Sequence, residues 1–418
     1  MMRLRLTGLW RRPDFVRLWV GGTVSEFGSQ ITFLALPLAA VLVLDASPLQ
    51  IGILAAVGST PALIFGLGIG VWVDRRKKRP LMIAADYGRA LLLLAVPVAA
   101  ALQILRIEHL YAVAAGVGFL TLLFGVANRS MLPSLVAREE LVEANSKLSI
   151  GNSISQVSGP GVGGVLVQLF TAPAALIVDA ATYVVSALSI GSIRAQEPEP
   201  KSSAQGRDFL REAREGAGLI LRSPVLLAIA GAVAGLTIFN SVFEAVFVIY
   251  VIRTLEISPF TLGLAMSAGS VGFLVGASLA DRFIHWAGPG RAMVIGVIVL
   301  GLSDLIIPLA SGPVVVVAAL IGCAQFMFGV GIVAYSVSQV SITQAITPIR
   351  LLGRVNGIMH SLAIGLVPIG ALVGGVLGQT LGVRPTLFIA AGGEIAAVIW
   401  LLLTPVWSLR DLPQPSDE

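Results

Sequence analysis

Apolar runs long enough to cross a bilayer recur along this chain almost without pause. A spanning helix needs about 20 mostly apolar residues. Such runs fall near 17–44, 51–73, 80–105, 109–131, 145–170, 172–194, 224–252, 261–284, 291–311, 313–340, 354–380 and 384–408. Hydrophobic residues make up 56% of the 418 and charged residues only 12%, against about 25% charged in soluble globular domains. Too little polar surface remains to cover a globule in water. The chain is therefore expected to be an all-α membrane protein with about twelve transmembrane helices. The first run contains Glu26 and exceeds the about 7–15 residues of a signal-peptide core, so it reads as an uncleaved first span. Short links such as Asp45-Ala46-Ser47-Pro48 predict antiparallel hairpins.

One stretch breaks the pattern. Residues 195–222 carry Pro198, Pro200 and Lys201, then Arg207, Asp208, Arg211, Glu212, Arg214 and Glu215. They read as a cytosolic linker ending in a short amphipathic helix. The linker separates a six-helix half, 1–194, from a second, 223–410, with a short tail at 411–418. Lysine and arginine set the orientation. With the N-terminus in the cytosol, the inner loops collect Arg3, Arg5, Arg11, Arg12, Arg17, the cluster Arg75 to Arg79, Arg129, Arg138, Lys147, the linker, Arg282, Arg291, Arg350, Arg354 and Arg410. The outer loops hold Arg106, Arg253 and Arg384. The positive-inside rule then puts both termini in the cytosol of a cell carrying the protein in its inner (cytoplasmic) membrane. It also explains a pI near 9.7 without a nucleic-acid partner.

The two halves repeat one another. Leu141-Val142-Glu143-Ala144-Asn145 leads to Ser158-Gly159-Pro160-Gly161-Val162-Gly163-Gly164. Leu352-Gly353-Arg354-Val355-Asn356 leads to Ile369-Gly370-Ala371-Leu372-Val373-Gly374-Gly375 in the same register. Gly70, Asp74 and Arg75 are echoed by Ala277-Ser278-Leu279-Ala280-Asp281-Arg282. Parallel six-span repeats are a transporter architecture, with the substrate site at the repeat interface.

The sharpest motif is Gly66-Leu67-Gly68-Ile69-Gly70-Val71-Trp72-Val73-Asp74-Arg75-Arg76-Lys77-Lys78-Arg79 after the second span. Its glycines are expected to let a neighbouring helix approach closely. Its basic residues suit the anionic inner leaflet. This loop resembles the signature between spans two and three of major facilitator transporters. Phe15-Val16-Arg17-Leu18-Trp19, Ala35-Leu36-Pro37-Leu38, Ala84-Ala85-Asp86-Tyr87-Gly88-Arg89, Arg129-Ser130-Met131-Leu132-Pro133-Ser134-Leu135-Val136 and Asp179-Ala180-Ala181-Thr182-Tyr183 resemble the macrolide-efflux and enterobactin-exporter branch. The resemblance covers nearly the whole chain. It implies the major facilitator fold, alternating access, and proton-driven export of small amphipathic compounds, as in multidrug resistance. Gly159, Pro160, Gly163 and Gly164 are similar to the helix motif associated with proton-coupled antiporters of this superfamily. Pro160 removes a backbone donor and is expected to kink the fifth span.

Ionisable residues inside spans cost about 2.5–3.5 kcal/mol each at a helix centre and call for a partner, a cavity or a task. Glu26 and Gln30 share one face of span one, and Asn240 and Glu244 share one face of span seven. The resemblance implies that these two spans line the cavity, so Glu26 and Glu244 are the leading candidates for exchanging protons against substrate. Asp304 in span nine, Glu394 in span twelve and His360 in span eleven are further candidates. Asp86, Arg89 and Arg129, with Gly70, Asp74, Arg75, Arg79, Asp281 and Arg282, are expected to form a cytosolic charge network that gates the cycle.

Nothing here suggests an enzyme. A phosphate-binding Gly-x-x-x-x-Gly-Lys-Ser loop, a His-Glu-x-x-His helix and a cysteine cluster are all missing from the sequence. No cofactor or metal is expected. Cys323, in an apolar run, is expected as a small core residue. The expected partners are the bilayer, a small-molecule substrate and protons, with the monomer as the working unit. Siderophore or lysophospholipid transport on the same fold is the nearest alternative. A non-transporting membrane sensor or scaffold is the alternative of another class.

Overall fold

The computed structural model describes residues 8–195, 197 and 209–409. The linker residues Pro198, Pro200, Lys201, Arg207 and Asp208, the N-terminal Arg3 and Arg5, Arg410 and the tail 411–418 lie outside the described residues. Fourteen α-helices follow in chain order: α1 (Pro13–Val43), α2 (Pro48–Asp74), α3 (Lys78–Ala101), α4 (Ile107–Leu135), α5 (Leu141–Leu169), α6 (Ala172–Gly191), α7 (Phe209–Arg222), α8 (Pro224–Arg253), α9 (Pro259–Ala287), α10 (Pro289–Leu309), α11 (Val314–Ile346), α12 (Ile349–Gly365), α13 (Val367–Thr380) and α14 (Val383–Leu402). No strand occurs among the described residues.

The helix starts are written locally. Proline stands at the first position of α1, α2, α8, α9 and α10, where its missing N–H would have had no partner anyway. Ser223 and Ser258 cap α8 and α9 by accepting the amides of Leu226 and Thr261, each at 3.3 Å. Gly288 and Gly382 enter α10 and α14 at φ values of 82° and 94°, a region open to glycine and strained for other residues.

Among the described residues eleven candidate spans are long and apolar enough to cross a membrane, with α12 and α13 counted as one. The expected twelfth is α5. It has 29 residues but is more polar, for a reason that becomes visible at the site below. The outward faces of the spans are apolar: Leu91 is 71% exposed and Leu188 61%. Such side chains fit a lipid surround and not water. Cys323 is exposed on α11 rather than in a core. Hydrocarbon outside the helix suits an apolar residue as well as a protein core does.

The helices group into two compact units, residues 1–46 with 57–203, and residues 47–56 with 204–418. In the first, α1 lies against α5 and α6, and α3 against α4 and α6. On its basic surface Arg12 pairs with Glu140 at 2.9 Å, and Trp19 donates to the Lys147 carbonyl at 2.8 Å. In the second, α9 and α10 lie against α11, and α8 against α13 and α14. Small residues set these spacings, because lipid offers no hydrophobic drive to join helices. A Cβ on Gly272 of α9 would run into the backbone of Phe326 on α11, and one on Gly296 of α10 into the Tyr335 amide. The first turns of α2 belong to the second unit, where Gly52 sits against Ala371 and Gly375 of α13. The amphipathic helix α7 docks on α12 through the Glu215–Arg354 ion pair.

Proline marks the two repeats differently. α5 runs unbroken through Pro160. Its repeat counterpart, which lacks that proline, breaks between Gly365 and Val367. Pro368 stands just beyond the break, where it removes an amide donor and disfavours helical geometry at Val367.

Candidate functional site

In the first unit the candidate residues fall into three places. On α1, Gln30 donates to the Glu26 carboxylate at 2.9 Å. Both side chains are half-buried. α5 reaches this pair through its glycines. A Cβ on Gly159 would collide with the Gln30 side chain, and one on Gly163 would stand 3.3 Å from the Ile31 Cα. Ser155 ties the two helices by donating to the Thr23 carbonyl at 3.0 Å. Gly159 thus leaves room on α5 for the Gln30 side chain of α1. Gly164 is buried.

The same helix explains its own polarity. Asn145, Ser149, Asn152 and Gln156 are exposed and spaced four, three and four residues apart, so they form one stripe along α5. Sequence reading passed over this stripe. Its signal was present as a helical period of polar residues inside an apolar run.

The second place is a buried polar knot in the bundle core. Arg89 on α3 pairs with Asp86, one turn back. It also donates to Ser25 of α1 at 3.3 Å and to Thr121 of α4 at 3.5 Å. Its guanidinium lies over the rings of Tyr183, at 4.0 Å, and Phe124, at 4.6 Å. Asp179 of α6 accepts hydrogen bonds from Thr32 and Thr182, and Ser29 meets the Tyr183 hydroxyl at 3.0 Å. Asp86, Arg89 and Asp179 are all buried.

The third place is the surface after α2. Asp74, Arg75 and Arg129 are exposed. Among the described residues no ion pair joins them to the Asp86–Arg89 pair, so the structure divides the expected network into a core knot and separate surface charges. Both Asp86 and Arg89 point into the bundle, where α1, α4 and α6 supply their partners. Arg79 anchors α3 by donating to the Gly191 carbonyl, and Glu197 caps the same helix by accepting the Lys78 and Arg79 amides at 2.5 and 2.9 Å. The glycines of the loop motif do not sit in a tight contact: a Cβ on Gly66, Gly68 or Gly70 would meet nothing within 4 Å.

In the second unit the repeat is kept. Gly370 and Gly374 of α13 press on the backbone of α8 at Ile238 and Val242, as Gly159 and Gly163 press on α1. Asn240 is half-buried and Glu244 exposed. Phe243 and Phe247 stack at 5.6 Å within the bundle. His360 is exposed on α12. Asp281 and Arg282 are exposed at the end of α9, where Asp281 faces His285 at 3.3 Å. Asp304 of α10 and Glu394 of α14 are brought into contact, their carboxyls hydrogen-bonded in the core.

The sequence profile described as the Major Facilitator Superfamily matches residues 18–368. The chain belongs to that superfamily. It is 29% identical to the multidrug efflux pump Tap of Mycolicibacterium fortuitum over 91% of this chain and 93% of that one. It is 24% identical to macrolide efflux protein A of Streptococcus pyogenes, over 88% of this chain and 90% of that one. It is 25% identical to the enterobactin exporter EntS of Shigella dysenteriae, over 96% of this chain and 93% of that one. Among solved structures, the nucleoside transporter NupG superposes with a TM-score of 0.74 at 14% identity, covering 93% of this chain and 98% of that one. The resemblance to the macrolide-efflux and enterobactin-exporter branch therefore holds, and with it the all-α fold. This major facilitator protein is a multi-pass membrane transporter with efflux-pump relatives, and its business is transport and not catalysis.

Proposed function

We propose that this transporter is a secondary active exporter of small amphipathic or cationic molecules. It works by proton antiport and alternating access, as a monomer in the cell membrane with both termini cytosolic. The observation that carries the reading is the pair of carboxylates on α1 and α8. Glu26 and Glu244 sit inside apolar helices, neither is sealed in a core, and among the described residues neither has a cationic partner. A lone charge at such a depth costs about 2.5–3.5 kcal/mol, so its retention asks for a ligand that neutralises it. A proton does so in one half of the cycle and a cationic cargo in the other. Competition for one carboxylate is enough to exchange them. The efflux relatives and the polar stripe of α5 support a wet path for such a cargo.

The test is movement of a fluorescent lipophilic cation in proteoliposomes under an imposed pH gradient. Wild type is expected to move the dye in proportion to the gradient. Glu244→Gln and Glu26→Gln are expected to bring that movement down to the level of empty liposomes. Gradient-driven movement that persists in both variants would sink the coupling. A siderophore cargo is the second reading, favoured by the similarity to EntS along nearly the whole chain. It predicts no dye movement in wild type, and gradient-driven release of a loaded catecholate siderophore in its place.

A further inference from the structure

Two acidic side chains touch inside the second unit, and among the described residues no ion pair joins them to a positive group. Asp304 of α10 is 5% exposed and Glu394 of α14 1%. Their carboxyls are hydrogen-bonded to one another. Each keeps a second oxygen, Oδ2 of Asp304 and Oε2 of Glu394, buried with no partner. An ionised carboxylate only accepts hydrogen bonds, so two of them cannot bond to each other unless a proton lies between them. Two like charges held this close would not both ionise.

Among the described residues the surroundings offer no counter-charge. α11 and α13 contain no charged residue. On α10 the other charge is Arg291, at the opposite end beside Trp407, 5.5 Å from its ring. On α14 it is Arg384, which donates to the Pro308 carbonyl at 2.9 Å. Arg253 is the last residue of α8, and Asp281, Arg282 and His285 lie at the far end of α9. The turn after α14, Pro405–Ser408, carries no titratable group. Two tyrosines are buried in the neighbouring helices: Tyr335 of α11, whose hydroxyl has no partner, and Tyr250 of α8, which donates to Pro308. On α12, which packs on α8, Arg354 pairs with Glu215, Arg350 stands in the first turn and His360 is exposed. Glu244, exposed on α8, is the remaining carboxylate of the neighbouring helices.

The first unit acts as an internal control. The register that aligns Asn145 with Asn356 also aligns Pro97 with Pro308, Arg89 with Leu300, and Tyr183 with Glu394. The α3–α6 contact thus corresponds to the α10–α14 contact. In the first, Asp86 and Asp179 are accompanied by the Arg89 guanidinium. In the second, leucine replaces that arginine, Asp304 lies one turn further along the same face, and a carboxyl replaces Tyr183. The cation has gone and a second acid has arrived.

We propose that Asp304 and Glu394 form a proton-binding site, a carboxylic acid–carboxylate pair that holds one proton between α10 and α14 in place of the arginine used by the first half. The site itself stands apart from the transport reading, whereas its use as a coupling element rests on it.

The test is infrared spectroscopy of the full-length protein in lipid nanodiscs, reading the carbonyl stretch of a protonated carboxylic acid in water and in heavy water, alongside gradient-driven dye movement. Wild type is expected to show the band at neutral pH. Asp304→Asn/Glu394→Gln together are expected to abolish it, and each alone to shift it, so the single variants decide the matter should the double variant fail to fold. No band in wild type, or a band unmoved by all three pair variants, overturns the proposal, even where dye movement follows the gradient. A band lost as expected without gradient-driven movement in wild type keeps the proton site and removes its coupling role.

Discussion

Replacing Arg89 by leucine is expected to collapse the first bundle rather than merely slow transport. Removing one member of a buried ion pair leaves the other charged and unsolvated, which costs about 3–5 kcal/mol. Here the loss is wider, because Arg89 also donates to Ser25 and Thr121 and lies over two rings. Four helices, α1, α3, α4 and α6, meet at this one side chain. Arg89→Lys is expected to recover little, since an ammonium cannot donate in plane to Asp86 and stack on Tyr183 and Phe124 at once. Arg89→Leu with Asp86→Leu should recover more than either alone, because it removes the stranded charge along with its partner. The measurement is the melting temperature of the purified protein in one detergent, with aggregation followed by size-exclusion chromatography. A melting curve for Arg89→Leu that overlays wild type would show that the knot carries no stability.

Why this knot was not legible in the sequence is a matter of which neighbour a helix face meets. Asp86 and Arg89 are three apart near one end of their span, beside a basic loop, and that spacing suits a surface gate as well as a core pair. Only the packing of α6 against α3 and α1, which puts Asp179 and Tyr183 within reach, separates the two. The spans themselves were legible because twenty apolar residues have one stable use in a bilayer. The linker helix was legible from its charge pattern, and the repeat from Asn145 and Asn356. The same repeat held the signal for Asp304 and Glu394, since extending its register to Arg89 and Leu300 exposes the missing cation. The break before Pro368 was hidden for a different reason. Pro160 lies inside α5 and Pro368 in the first turn of α13, and a proline within an apolar run does not by itself say which of these a helix will adopt.

Glycine gives the sharpest contrast between motif and structure, and the second large effect follows from it. Gly272→Val is expected to force α9 and α11 apart, because its Cβ would meet the carbonyl of Phe326, with the carbonyl carbon at 2.9 Å and the Cα at 3.0 Å. Backbone atoms cannot rotate away as a side chain can. Overpacking of this kind costs about 1–3 kcal/mol where a core can adjust, and two backbones in contact adjust less, so the top of that range or beyond is expected. Gly329→Val should act alike from the other helix, where the Phe273 amide would lie at 2.5 Å. The glycines of the loop motif, more conspicuous in the sequence, are expected to behave in the opposite way. Gly66→Ala and Gly68→Ala enter open space and replace a poor helix former by the best one, a gain of up to about 1 kcal/mol each. Thermal melts of the four variants in one detergent check this. Equal destabilisation across both groups would mean that the loop glycines are held by a close contact after all. Raised stability in Gly66→Ala with impaired dye movement would assign those glycines to the transport cycle and not to the fold.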